Sequence, residues 1–178
     1  MLLEYAVFST RLGWMGVGRR TGCVARVVLP RSHRDLVLQQ LEGSLSRSDA
    51  SLVEVPAEAF GSLPGRLIRQ MDGERTEFDD AVDNSDWTAF RTRVWEATRT
   101  IPYGETRSYS WVAGRIGQAN APRAVGQALH SNPVPVIVPC HRVIGANGAL
   151  VGFGSGCDLK ARMLEIERES LEQSSQRE

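Results

Sequence analysis

Lysine is almost missing from this chain: 20 of its 21 basic residues are arginine, and Lys160 stands alone. Net charge is missing too, since 21 acidic residues balance them. The global field therefore neither draws nor repels a polyanion, and any nucleic-acid contact has to come from a local patch. Arginine's planar fork suits phosphates and base edges, although the bias equally reflects genome composition. Cysteine is scarce. Cys23, Cys140 and Cys157 form an odd set at wide spacing with no CxxC pair, a poor disulfide framework and a poor zinc site. No apolar run approaches the ~18 residues of a membrane span. The opening MLLEYAVFST lacks a basic n-region and breaks at Glu4, so it is not read as a signal peptide. A reducing cytoplasm, where free thiols survive, is the expected compartment.

What remains is an ordinary globular composition, 42% hydrophobic and 24% charged over 178 residues, enough for one compact domain or two small ones. Residues 2–9, 14–18 and 23–29 read as a strand meander. Ser32 is placed to cap a helix carrying Leu36, Leu38 and Leu41, and Val53 and Val55 suggest a short strand. Residues 56–70 read as an irregular helix interrupted by Pro64-Gly65. Residues 71–86 hold seven acids against Arg75, which reads as a solvated linker with one edge strand near Phe78. A boundary near residue 85 follows, with an N-terminal domain over 1–85, a C-terminal domain over 86–170 and a polar tail over 171–178.

Past the boundary, Asp86 is placed to cap a helix with apolar positions Trp87, Phe90, Val94, Ala97 and Ile101 at helical spacing, stopped by Pro102-Tyr103-Gly104. Ser108 is placed to cap a second helix, 109–116, ended by Gly117. Asn120 is placed to cap a third, with Pro122 tolerated in its first turn. Two short helices joined by residues 117–120 make a helix-turn-helix pattern. Most such pairs are packing units, but Arg99, Arg107, Arg115, Arg123 and Arg142 face a single acid, Glu105, between residues 99 and 142. That patch is able to meet phosphates. Residues 134–138 read as a buried strand, 142–144 and 149–153 as a hairpin about 145–148, and Asp158 as the cap of a final helix carrying Leu159, Met163, Leu164 and Ile166.

Cys140 and His141 stand directly behind the buried run. A free cysteine there is packing or a nucleophile; both readings are open from local sequence. Three features favour chemistry. Pro139 fixes the backbone before the thiol, the basic surroundings favour a thiolate, and the later helix carries Glu165 and Glu167, either of which can orient an imidazole.

The run NPVPVIVPCHRVIG (132–145) closely resembles the active-site signature of the O6-alkylguanine-DNA alkyltransferases. Ile101-Pro102-Tyr103-Gly104-Glu105-Thr106, Ser108-Tyr109, Pro122-Arg123-Ala124-Val125-Gly126 and Gly152-Phe153 through Lys160 to Glu167 follow in that family's order. The resemblance covers about residues 86–168. It implies direct-reversal DNA repair: the alkyl group, chiefly methyl, passes from O6 of guanine, with O4 of thymine a further candidate, irreversibly to Cys140 in a single turnover. Double-stranded DNA carrying O6-alkylguanine is the implied partner, with no cofactor, no metal and no membrane, and a monomeric protein in the cytoplasm, at the nucleoid when bound.

Roles follow by resemblance. Cys140 is the acceptor, His141 takes its proton, Glu167 polarises His141, and Asn132 braces the turn before the active site. Tyr109 donates toward the departing base. Arg123 fills the gap left by the flipped nucleotide, while Ala124, Gly126 and Ala128 form a small face entering the minor groove, with Arg107 and Arg142 as further DNA contacts. Val143, Phe153, Gly154 and Ser155 line the substrate pocket. The implied fold is α+β, a ribonuclease-H-like N-terminal domain followed by a mostly helical, winged-helix-like one.

The sequence departs from several relatives at Phe153, where they carry Tyr, and at Ser155, where they carry Gly or Trp. Some relatives bind zinc in the N-terminal domain, but Cys23 and His33 are the only such ligands in that half here, so no zinc is expected. Cys23 is expected in a strand core, and Cys157 is expected to pack at the final helix's start. Three other functions compete: a lesion-binding protein without repair, which in the alkyltransferase-like relatives carries Trp in place of the cysteine; a cysteine hydrolase or redox thiol enzyme; and an alkylation-sensing transcription regulator.

Overall fold

A computed structural model describes residues 2–45 and 51–176. The chain divides into two compact units between Ser85 and Asp86. No helix among the described residues is long and apolar enough to cross a membrane.

The first unit is built on three antiparallel strands, β1 (Leu2–Thr10), β2 (Gly13–Arg20) and β3 (Cys23–Arg31). Thr21 and Gly22 both take positive φ, 50° and 84°, the conformation that lets a two-residue turn match strand twist. Helix α1 (Arg34–Leu45) crosses one face, and β4 (Ser51–Glu54) returns parallel to β1, giving a mixed sheet in the order β3-β2-β1-β4. Leu3, Val28, Val37 and Leu41 form the core between sheet and helix. Gly16 sets how closely they meet: a Cβ there would lie 2.5 Å from Val37 Cγ1 and 2.9 Å from Leu41 Cδ1. The buried helix positions are thus Val37 and Leu41, whereas Leu36, expected inside, is 42% exposed.

Pro64 does not interrupt a helix as expected. It occupies the first turn of α2 (Leu63–Met71), where a missing N–H costs nothing. The acidic segment beyond has most of its acids exposed, as expected, but is also strapped down. Arg66 binds Asp80 at 2.5 Å and the Glu77 carbonyl at 2.9 Å, and Arg20 pairs with Asp83 at 3.3 Å. Its one β-bridge joins Val82 to Val24, not the region of Phe78.

The second unit contains α3 (Ala89–Arg99), α4 (Tyr109–Arg115), α5 (Pro122–His130) and α6 (Cys157–Ser175). Thr88, not Asp86, caps α3 by accepting from Arg91 N–H, leaving Trp87 outside the helix and edge-on to Trp95 at 4.3 Å. Ser108 caps α4 as expected, accepting from Trp111 N–H at 3.0 Å. Asn120 caps nothing, because α5 starts after Ala121 without a side-chain cap. Trp95 Nε1 donates to the Ala128 carbonyl at 3.0 Å, tying α3 to α5.

Two strands of two residues, β5 (Arg107–Ser108) and β6 (Val143–Ile144), pair in parallel. No hairpin forms: residues 149–153 make no strand, and Gly145 N–H closes only a turn to the Ala149 carbonyl at 2.8 Å. Residues 134–138 are likewise buried but not a strand, since Pro133, Pro135 and Pro139 remove ladder donors. The expected polar tail from 171 is helical through Ser175, with Leu171 seated against Gly104 and Arg168 paired with Glu172. Residues 177 and 178 of that tail lie outside the described residues.

Candidate active site

The site begins where α5 ends. Asn132 is buried, and its amide clamps the proline-rich loop at both ends: Oδ1 accepts from Val134 N–H at 3.0 Å, and Nδ2 donates to the Val138 carbonyl at 2.9 Å. One side chain thus supplies bonds that a proline-punctured strand cannot. Within the loop Val136 has φ 77°, a conformation costing a β-branched residue about 1–3 kcal/mol, held by the packing around it. The chain then makes a single 3₁₀ turn, Cys140–Arg142, closed by Arg142 N–H to the Pro139 carbonyl at 3.0 Å. β6 follows at once and pairs with β5, which runs directly into Tyr109. That short ladder brings α4's first residue to the cysteine turn.

His141 and Glu167 are each 1% exposed, with Nε2 and Oε1 2.8 Å apart. The carboxylate can only accept, so the proton is assigned to Nε2 and the lone pair to Nδ1. Nδ1 is buried and without a protein partner. Arg142 forks onto the same carboxylate, Nε 3.0 Å from Oε2 and Nη2 2.9 Å from Oε1, while Gly104 N–H donates to Oε2 at 2.8 Å. Burial pushes the Glu167 carboxyl up, but His141 and Arg142 outweigh it and hold it at about 2. Burial pushes the His141 imidazole below its ordinary value against the pull of Glu167, and Arg142 adds to the lowering; the base rests neutral.

Burial also pushes the Cys140 thiol up, and the Asn132 hydrogen bond and the Lys160 charge offset only part of that. The resting sulfur is a thiol. This corrects the expectation that basic surroundings would ionise it: the adjacent guanidinium, Arg142, is already neutralised by Glu167, and desolvation decides. Lys160 is also buried. Its Nζ donates to the Val143 carbonyl at 2.6 Å and the Val151 carbonyl at 3.1 Å, and lies 5.8 Å from the Tyr109 and Phe153 ring centres.

Tyr109 hydroxyl donates to the Val151 carbonyl at 2.8 Å. Its pKa is raised, by burial first and then by the charges of Cys140 and Cys157. Around it opens a cavity of about 570 Å³ walled by Ser110, Pro122, Arg123, Gly126, Gln127, His130, Ala146, Val151 and Gly152, within the roughly 300–1,000 Å³ of small-molecule sites. Cys140 is not on that wall; Tyr109 is, and a charge formed on the Cys140 sulfur would act on its hydroxyl.

Residues 89–169 match the family model of the 6-O-methylguanine DNA methyltransferase DNA-binding domain. A methylated-DNA–protein-cysteine methyltransferase of Mycolicibacterium paratuberculosis is 44% identical over 144 residues, 79% of this chain and 86% of that protein. The Mycobacterium tuberculosis protein of the same name is 51% identical over 110 residues, 62% of this chain and 66% of that protein. The crystal structure of M. tuberculosis OGT in complex with DNA superposes with TM-score 0.76 at 35% identity, covering 94% of each chain. This chain belongs to the methylated-DNA–protein-cysteine methyltransferase family. The Pyrococcus kodakaraensis O6-methylguanine-DNA methyltransferase, at 24% identity and TM-score 0.69 over 93% of this chain and 98% of that one, shares its mixed α+β fold.

Within this methyltransferase-family unit, the structure gathers Cys140, His141, Glu167, Asn132 and Tyr109. Glu165, the other acid considered for the imidazole, points outward to Arg162. Arg142, expected against DNA, faces inward, committed to Glu167 and the Ile101 carbonyl; its side chain is 11% exposed. Arg107 is paired with Glu105 at 2.6 Å and lies over Trp111. Ala128 is 3% exposed and faces α3, so it forms no part of an outer face. Arg123 and Ala124 are exposed and Gly126 packs beside the Tyr109 ring. Of the residues expected to line the substrate pocket, Val143, Phe153, Gly154 and Ser155, none is on the cavity wall: the Val143 carbonyl accepts from Lys160, Phe153 and Ser155 are half-buried, and Gly154 lies next to His130. Cys23 is half-buried, and Cys157 is exposed, its thiol donating to the Leu150 carbonyl. Sequence reasoning missed the roles of Lys160 and the Gly104 N–H. For Lys160 a signal existed: the only lysine sits seven residues before Glu167, on the same helical face.

Proposed function

We propose that this chain repairs O6-alkylguanine in double-stranded DNA by carrying the alkyl group, chiefly methyl, to Cys140 in one irreversible transfer, with O4-alkylthymine a second substrate class. The observation that carries this reading is the buried His141–Glu167 pair, its imidazole directly after Cys140 in one turn, with Tyr109, whose hydroxyl feels a charge on that sulfur, on the wall of a cavity that also holds Arg123.

The thiol proton passes through a bridging water to His141 Nδ1, the nitrogen left free by the Nε2–Glu167 bond. Glu167, anionic down to about pH 2, stabilises the imidazolium that forms. The sulfur's electron pair then makes the S–C bond in line as the C–O6 bond breaks, its pair going to the base. Tyr109 releases Val151 and donates toward the base as that charge develops. The balance closes when the proton taken up by His141 is returned through water and Tyr109, so that the departing base becomes guanine with its N1 hydrogen and His141 is neutral again. The thioether is not reversed by water or thiols, so each molecule acts once and needs no cofactor. Because the target atom lies in a stacked duplex, the nucleotide must rotate out, at a cost of a few kcal/mol. α5 enters the minor groove, and Arg123 takes the vacated space. The protein acts as a cytoplasmic monomer, at the nucleoid when bound. Residues 1–85 form a ribonuclease-H-like domain, and the unit from Asp86 a winged-helix-like DNA-binding and alkyl-acceptor domain.

The test is DNA containing O6-[methyl-³H]guanine. Label that stops at one methyl per molecule, on Cys140, supports repair. Many turnovers would indicate a hydrolase, and tight binding without label a lesion sensor.

A further inference from the structure

Helix α5 presents more to its outer side than small residues. Val125, Ala128 and Leu129 are buried, and the opposite stripe at helical spacing is Arg123, Gln127 and His130, all on the cavity wall. Gln127 is the one long neutral polar side chain in a helix otherwise stocked with Ala124, Gly126 and Ala128. It sits one turn from Arg123, about 6 Å along the axis, which is one to two base steps at ~3.4 Å each.

We propose that Gln127 is a specificity-determining residue that reads the minor-groove edge of a G·C pair one or two steps from the lesion, so that this chain repairs O6-alkylguanine faster beside G·C than beside A·T. The inference rests on the reading above, in which α5 enters the minor groove with Arg123 at the lesion. The chemistry is selective because the groove floor carries acceptors in every base pair but a donor, the guanine N2 amine, only in G·C. Arg123 can only donate and treats the pairs alike. A glutamine amide offers both halves: Nε2 donates to N3 or O2 while Oε1 accepts from N2. Only G·C satisfies both.

Single-turnover transfer from duplexes whose pairs within two steps of O6-methylguanine are G·C, A·T, inosine·C or 7-deazaguanine·C tests this. Inosine removes only the N2 amine from the minor groove, and 7-deazaguanine alters only the major groove. The expected result is a roughly tenfold slowing on inosine, the low end of what one bidentate base contact discriminates, no effect of 7-deazaguanine, and a G·C-to-inosine ratio near one in Gln127→Ala. Pair strength alone predicts the reverse, because the weaker inosine·C and A·T pairs ease extrusion and would speed transfer. Equal wild-type rates with Cys140 fully labelled overturn the inference and leave the repair reading standing. A ratio unchanged in Gln127→Ala, or slowing by 7-deazaguanine, also overturns it. No label from any duplex would instead overturn the repair reading itself.

Discussion

Replacing Glu167 by Gln removes one charge from a cluster in which His141, Arg142 and Gly104 all point at the same carboxylate. The size of the effect follows from the carboxyl itself. Lowered from 4.5 to about 2, it contributes about 3 kcal/mol of folding free energy at neutral pH. Leaving the largely buried Arg142 without its counter-charge gives a similar figure, roughly 3–5 kcal/mol for breaking a buried pair. Against a total of ~5–15 kcal/mol, this is a large fraction. A depressed carboxyl stabilises the fold above its unfolded pKa, and that contribution is lost as pH falls from 4.5 toward 2. Urea unfolding followed by tryptophan fluorescence, at pH steps from 7 to 2.5, should therefore show Glu167→Gln about 3 kcal/mol less stable at pH 7. The gap should close to below about 1 kcal/mol at the acid end, where the wild-type carboxyl is itself being neutralised. A gap that stays constant across this range, or one absent at pH 7, refutes the assignment of Glu167 as the anionic centre of the cluster.

Cys140→Ala should bind duplex DNA in a gel shift and take up no tritium from methylated DNA. Arg123→Ala should slow transfer from duplex DNA far more than from free O6-benzylguanine; equal slowing on both would show that it does not fill the vacated space. Asn132→Ala strips the partners of Val134 N–H and the Val138 carbonyl and should cost about 1–3 kcal/mol for each group left unsatisfied, read as a lower melting temperature. Lys160→Met removes a positive charge that pulls the Cys140 thiol down, so the pH–rate profile for O6-benzylguanine should move to higher pH; an unmoved profile would mean that this charge does not act on the sulfur.

Much of the frame is legible in the residues alone. The meander of β1 to β3 follows from β-branched runs between turn residues, and the Ser108 cap from a hydroxyl ahead of a periodic segment. These are local preferences, set by residues within a few positions of one another. The misreadings share a cause. Leu36 and Val37 are both apolar neighbours, and only the approach of α1 to Gly16 decides which one is covered. Residues 134–138 look like a strand by composition, but their prolines leave the backbone bonds to be completed by Asn132.

By itself the sequence determined which atoms are available for chemistry: one thiol followed by an imidazole, an arginine, and a distant acid, in an order that a family shares. It also set the helix carrying Lys160 and Glu167, since residues seven apart on a helix face the same way. The tertiary structure alone decided what state those atoms are in. Arg142 was turned inward to Glu167, Ala128 against α3, and the Cys140 sulfur kept protonated by burial. Protonation and pairing depend on desolvation and on charges brought in from residues tens of positions away, sums that exist only once the chain has closed around them.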